Sequence, residues 1–497
     1  MSKVVVIGSG LGGLTCAYTL LRNGHEVVVL EQGAQVGGCL QCFSRRSVKF
    51  ETGMHFIGSA SKGQIMDCLM QYFDIGSQVV LSPLDVDGYN TVDLCGGQYR
   101  FPVGREAFID RMASYFPSQK DALKHYVDIV DGIQRASSLR NITMPSHDMS
   151  ALSEYQTRSV NEVLESVFSD RRLCDVLVGD MPLYGARKDK TPFALHAFIM
   201  DFYNNSAFRI VGGSDSIASA LVHNIENMGG MVLTGKKVVR ILCDDKKATS
   251  VETSDECLFD ADYVISAVHP SRTLEMLDTH LIRPAFRTRI NSIDQTPSVF
   301  ALYVKFKDKV VPYMNTNWFG YGTDTPWGCE VYDETSWPKN YLYMHMCHEH
   351  CPQWARSGVV LSYMDFSEVR PWYGTVVGRR GEEYEKFKAD RARRLIAAVD
   401  ARHKGFASSI DSYYTSTPLT YLDYTGTSDG SIYGVAKDIT LGPAGHVPYR
   451  TRIPNLLLAG QNVNSHGIMG VMVGTFLACG AIVGQDELYS QIFENTI

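Results

Sequence analysis

Three sets of residues carry types and spacings that chemistry can use. The first is the glycine series Gly8, Gly10 and Gly13 in "KVVVIGSGLGGLTCAYTLLRNGHEVVVLEQ" (3–32). Such a series suits a dinucleotide. The first glycine permits a tight turn, the second lets the backbone approach a pyrophosphate, and the third lets helix and strand pack closely. Glu31 follows at the end of the next apolar run, where a carboxylate accepts hydrogen bonds from an adenosine ribose and disfavours a 2′-phosphate, so NADP is not the expected resident. The second set is His55 in "ETGMHFIG" (51–58), an imidazole whose ordinary titration suits proton exchange near neutrality. Its competing reading is a core or cofactor-contacting histidine that transfers no proton. The third set holds thiols and imidazoles: Cys39-x-x-Cys42, and "HMCHEHC" (345–351) with His345, Cys347, His348, His350 and Cys351. The cysteine pair opens no thioredoxin-like helix, so no working disulfide is expected. The second cluster matches no zinc spacing, so no metal is expected.

The elements that must position these residues are legible at the N-terminus. Val4 to Ile7 read as a buried parallel strand, and Leu11, Leu14, Ala17, Tyr18 and Leu21 recur at helical spacing. Asn23-Gly24 stops that helix, and Val27 to Leu30 form a second strand. This strand–turn–helix–strand–acid context is far more specific than the glycines alone. At the other end, "HGIMGVMVGTFLACGAIVG" (466–484) is uncharged from Gly467 onward, with Gly470 and Gly474 as a small-xxx-small pair. It reaches the length of about 18 apolar residues at which a membrane span is weighed against a buried helix.

A chain of 497 residues accommodates two or three domains. A net charge of -7 without a basic run excludes a nucleic-acid partner. The 12 cysteines are scattered, as reduced thiols are. A strand beginning by Lys3 leaves no room for a signal peptide, so a cytoplasmic location is expected. No second G-x-G-x-x-G follows a strand, which argues against a separate resident NAD(P) domain.

Residues 33–58 extend the pattern through Gly37-Gly38-Cys39 to the run Glu51, Gly53, His55, Phe56, Gly58. This resembles phytoene-desaturase-like flavoproteins, most closely the carotenoid isomerase and retinol saturase group. The resemblance continues through "RIVGGSDSIASAL" (209–221), "NMGGMVLTGKKVVRI" (227–241), "ADYVISAVHP" (261–270), "STPLTYLDYTGTSDGSIYG" (416–434) and "IPNLLLAGQNVNSHGIMGVMVG" (453–474). It implies a Rossmann-type α/β FAD-binding domain, discontinuous over 1–75, 205–270 and 440–497. An inserted α+β substrate domain would take 76–204, mainly helical on both sides of Pro117, and 271–439. It further implies non-covalent FAD. In the first loop the contacts would be Gly8, Ser9, Gly10, Leu11, Gly12 and Gly13, with Glu31 and Gln32 beyond it. Next would come Gly37, Gly38 and Cys39, then Gly53, Met54 and His55, the last near the isoalloxazine. Val238 would meet the adenine. Gly460, Gln461, Asn462, Gly470, Val471 and Met472 would complete the site, with the last helix packed inside the protein and its N-terminus facing the flavin. Many such proteins carry an acid where Gln461 and Asn462 stand; an amide still donates and accepts.

The function implied is FAD-dependent oxidoreduction at C=C bonds of an apolar, isoprenoid (carotenoid- or retinoid-like) substrate, by saturation or redox-dependent isomerisation. Desaturation and amine oxidation are the alternatives, and a flavin-less escort-like prenyl-binding protein ranks last. NAD(P)H would serve as a transient reductant. A membrane-dwelling substrate implies peripheral membrane contact, for which "TPFALHAFIMDFYNNSAF" (191–208) is a candidate entrance and a buried core helix the competing reading.

Overall fold

The computed structural model describes residues 1–137 and 150–494; 138–149, within the first insert, and the terminal 495–497 lie outside the described residues. The strand at the N-terminus, Lys3–Ile7, is the centre of a five-stranded sheet. Its spatial order is Met231–Leu233, Glu26–Leu30, Lys3–Ile7, Tyr263–Ser266, Leu456–Leu458, and every pairing is parallel. Val4, Val5 and Val6 are buried on both faces of the sheet, which is why the run is continuously apolar rather than alternating. The helix Leu11–Arg22 returns across one face and ends at Asn23, whose N–H bonds to Leu20 O at 3.1 Å, with Gly24 at φ +76 completing the turn.

The uncharged helix Gly467–Val483 lies against this first helix. Thr15 and Thr475 hydroxyls meet at 2.6 Å, and Cys479 Sγ reaches Cys16 O at 3.7 Å. Phe476 packs on Tyr72 and Phe73. Protein rather than lipid therefore covers it, and among the described residues no helix is long and apolar enough to cross a membrane.

A second, seven-stranded sheet forms the other layer. Its order is Ile410–Ser416, Val299–Phe306, Ser357–Tyr363, Asn340–His345, Asn317–Tyr321, Asn90–Leu94, Gly97–Phe101. Only Asn317–Tyr321 beside Asn90–Leu94 is a parallel pair. Both faces are covered, and the strands sort their side chains with period two. Val299, Ala301 and Tyr303 enter the core beneath the helices of residues 105–205, whereas Phe300, Leu302 and Val304 pack on Leu395 and Val399 of the helix Glu382–Arg402. The segment 191–208 is mostly the helix Phe193–Asn205. Phe193, Ala194, Leu195, Ala197 and Met200 are buried, so it is a core helix and not an exposed entrance.

The junction of strand and helix leaves no tolerance at Gly13, where an added Cβ would lie 1.9 Å from Gly8 O. Gly13→Ala is expected to cost at least about 3 kcal/mol, the upper end for overpacking, read as a fall in the denaturation midpoint.

Candidate functional site

From the carboxyl end of Lys3–Ile7 the chain leads to Glu26–Leu30 on one side, and Tyr263–Ser266 is flanked by Leu456–Leu458 on the other, so strand order reverses here, at the switch point where such sheets bind ligands. Gly8 turns the chain there at φ +95. Gly12 packs on the second crossing, since its Cβ would fall 2.8 Å from Gly460 Cα. Gly37 N–H bonds to Ser9 O at 2.9 Å and brings Gly38 over Gly10. At Gly10 itself an added Cβ meets nothing within 4 Å, so the glycines enclose an open cradle. Both helices that start here, Leu11–Arg22 and Gly467–Val483, lack a side-chain cap, leaving their first N–H groups for an anion or acceptor. Glu31 is fixed at the rim. Its Oε2 accepts from Ser9 N (3.0 Å) and Oγ (2.6 Å), and Oε1 accepts from Gly33 N at 2.7 Å. A carboxylate retains further acceptor capacity, so a ribose diol can share it. Lys236 N–H bonds to Glu31 O at 2.8 Å, which brings Val238, at the head of its strand, beside the same rim. The residues present fit a bound dinucleotide.

Beyond the cradle lies a partly open, largely apolar cavity. Gly53, Met54 and His55 form one wall together with Gly467, Ile468 and Gly470. Each segment is packed where only glycine fits: a Cβ on Gly53 would strike Cys39 O at 2.9 Å, and one on Gly470 would strike Ser465 at 2.7 Å. The rest of the lining is largely apolar and aromatic, including Phe198, Tyr203, Leu361, Tyr421 and Tyr433. Burial pushes the Tyr203, Tyr421 and Tyr433 phenols well above their ordinary range, and the Cys39 thiol up to about 11. None is an acid near neutrality. Two imidazoles remain in the wall: His55, and His466, whose ring stacks on Tyr433 at 4.4 Å.

His55 is buried with its Nδ1 3.4 Å from Glu51 Oε2, a charge contact rather than a hydrogen bond, and neither ring nitrogen has a hydrogen-bond partner among the described residues. Glu51 is buried too, and burial pushes its carboxyl above the usual range against the opposing pull of His55 and Arg209. Arg209, 1% exposed, donates to His55 O (3.2 Å) and Thr316 O (3.4 Å) and lies over the Phe56 ring. Sequence reasoning assigned no role to Glu51 or Arg209, nor to His466. A signal existed for Arg209, a lone cation inside the apolar strand Ala207–Ile210.

Other expected contacts do not line this cavity. Asn462 Oδ1 is engaged by Val435 N at 3.0 Å, so this amide holds the loop that carries Tyr433. Val471 lies against Gly12, Met472 is buried in the core of the first layer, and Gln32 is exposed, all outside the cavity wall. Gln461, next to Gly460, is half-buried. Cys39 and Cys42 are free thiols, the latter pushed up to about 12 by burial. His345 uses both ring nitrogens internally, on Met314 N (2.8 Å) and Tyr343 Oη (2.6 Å), while His348 meets Ser357 Oγ at 2.7 Å. Two of the three imidazoles in the run 345–351 are thus spent on hydrogen bonds; among the described residues no group of three or more His, Cys, Asp or Glu could hold a metal ion.

The family model for flavin-containing amine oxidoreductases matches residues 11–472. All-trans-retinol 13,14-reductase of Rattus norvegicus is 28% identical over 98% of this chain and 86% of its own. Prolycopene isomerase 1, chloroplastic, of an Oncidium hybrid cultivar is 22% identical over 94% and 82%. Among solved structures, wild-type putrescine oxidase bound to putrescine superposes with a TM-score of 0.63 at 13% identity, covering 99% of both chains. Gly10→Val is expected to leave the thermal stability of the flavin-free protein unchanged, because the space is open, and to abolish the flavin absorbance of the purified protein. With the cradle, the rim carboxylate and the family match together, the chain belongs to the flavin-containing amine oxidoreductases and is an FAD-dependent oxidoreductase.

Proposed function

We propose that this enzyme acts on C=C bonds of an isoprenoid polyene, by saturation or redox-dependent isomerisation. The observation that carries the reading is the cavity: an apolar, aromatic slot that ends on the glycine segments, with imidazoles as the groups able to exchange a proton near neutrality. The retinol reductase and prolycopene isomerase named above act on substrates of that class. A cationic amine is the poorer fit, because no carboxylate lines the cavity among the described residues.

FAD, when bound, supplies the hydride chemistry. The chain does the rest. Tyr421, Tyr433 and Phe198 hold the polyene against the glycine wall and exclude water. His55 holds a proton at Nε2 for the second carbon of the bond being reduced. NAD(P)H acts as a transient reductant from solution. With chemically reduced enzyme and no oxygen, retinoids and carotenoids should gain two hydrogens or change geometry at constant mass, read by mass spectrometry and chromatography. Loss of two hydrogens, only with oxidised enzyme and an acceptor, would move the reading to desaturation. His55→Ala should slow saturation by roughly 10²-fold, the scale of losing a general acid, and spare isomerisation, which needs no net proton. The same loss in His466→Ala but not His55→Ala would reassign the proton.

The reading extends to peripheral membrane contact at the loop after Trp372. Tyr373, just before Gly374, and Val376 and Val377, between Gly374 and Gly378, are exposed, with the exposed Arg370 and Arg379 on either side. Arg380 keeps the loop in shape, donating to Thr375 Oγ1 (2.8 Å), Thr375 O (3.2 Å) and Trp372 O (3.3 Å). It also pairs with Asp423 on the helix Pro418–Thr425, whose Tyr421 and Thr425 line the cavity. Apolar tips beside basic residues suit a headgroup–acyl boundary. A Val376→Asp, Val377→Asp double variant should lose sedimentation with phosphatidylcholine–phosphatidylserine vesicles and keep its turnover of detergent-dispersed substrate. Unchanged sedimentation would remove the loop from that role.

A further inference from the structure

The hairpin Cys42–Arg45/Val48–Glu51 ends by delivering Glu51 into the protein interior, opposite Cys42 in register. Four residues later the chain, no longer a strand, presents His55 to the cavity. Both side chains are buried, and the carboxylate faces the imidazole nitrogen that points away from Nε2. A buried carboxylate is costly unless something shares its charge. Here the ring does so, and Arg209 anchors the His55 carbonyl from the other side.

We infer that Glu51 is the positioning residue of His55: its Oε2, 3.4 Å from Nδ1, sets the ring's orientation and tautomer and balances the charge of the imidazolium, so that a proton is held at Nε2 in the wall of a largely apolar cavity. This rests on the reading that the enzyme reduces a C=C bond. In that step a hydride from the reduced flavin forms one C–H bond, the Nε2 proton forms the other, and the π bond is lost. The flavin is left oxidised by two electrons and the Glu51–His55 pair short of one proton, which solvent returns between turnovers. Around the pair stand the Arg209 guanidinium, which favours the ionised carboxyl, the Ser214 amide, and the Cys42 and Cys347 thiols, which burial keeps neutral.

The pairing is tested in the flavin-free and flavin-loaded protein by side-chain 15N NMR of labelled histidine, with the His55 signals assigned by their loss in His55→Gln. In wild type the ring should carry its proton on Nδ1 when neutral and keep it over a wide pH range. In Glu51→Leu the Nδ1–H signature should be lost, and Glu51→Asp should restore it in part. In anaerobic assays at equal flavin occupancy, Glu51→Gln should slow saturation by about 10²-fold. Its rate should fall away at lower pH than in wild type, because the charge that retains the pair's proton is gone; isomerisation should be unaffected. An Nδ1–H signature that survives Glu51→Leu overturns the inference, as does a Glu51→Gln enzyme that saturates at the wild-type rate with the wild-type pH profile. If the wild-type enzyme adds hydrogen to no polyene while the His55 signature still depends on Glu51, the reading of the reaction fails and the pairing stands.

Discussion

The architecture depends on three backbones approaching more closely than any side chain permits. Gly8 and Gly13 bring the first helix onto the end of its strand, and Gly12 brings the same helix onto Gly460, the turn after the fifth strand. A methyl group at Gly12 or Gly13 would force these elements apart, and three consequences of their contact would go with it. The two uncapped helix N-termini would no longer converge on one crevice. The Thr15–Thr475 hydroxyl contact would break inside an otherwise apolar interface. The Gly467–Gly470 segment would leave the cavity wall that it forms with Gly53 to His55.

The second layer is tied to the first by charge as well as by packing. Arg209 sits on the short strand between Ile57–Gly58 and Leu81–Pro83 and spans the junction. One nitrogen holds the His55 carbonyl of the cofactor-side wall, and another holds the Thr316 carbonyl at the edge of the seven-stranded sheet. An unpaired buried guanidinium would cost several kcal/mol, so its partners fix where the two layers meet. The cavity is the space left at that meeting. Its glycine wall and its aromatic wall therefore come from different layers and hold their separation through this joint.

What was legible in the sequence follows from how far apart the deciding residues lie. The N-terminal strand–helix–strand unit could be read because its determinants fall within thirty residues: an apolar run, a helical period, a glycine stop and an acid. The last helix could not be settled by its own composition, since an uncharged apolar stretch fits lipid or core equally. Its burial is decided by Gly12, Thr15 and Phe73, over four hundred residues away. The parallel pairing of Asn90–Leu94 with Asn317–Tyr321 was illegible for the same reason. A buried amide contact from Asn317 Nδ2 to Asn90 Oδ1 (2.8 Å) pins that register, and neither residue stands out in its own segment. In the terminal segment, the motif grouped the residues but did not tell which way each one faces. Asn462 turns to Val435 and Met472 to the core. Glu51, named in the motif, was given no contact with His55 because a four-residue spacing signals contact in a helix, and this stretch is not one.

The walls of the cavity make proton supply the controlling problem for any reduction carried out there. An apolar slot that excludes water protects a polyene and a reduced cofactor from side reactions, but it also removes the commonest source of protons. Burial compounds this by holding the lining phenols and the Cys39 thiol neutral far into the alkaline range. A side chain in such a wall keeps an exchangeable proton only if a counter-charge is buried with it. His55 meets that condition: a carboxylate lies behind the ring, and an arginine secures the main chain beside it. His466 is held in a different way, through its stack on Tyr433. The dryness that suits the site to an apolar substrate and the burial of an ionisable pair in its wall are thus two sides of one constraint, since the first makes the second necessary.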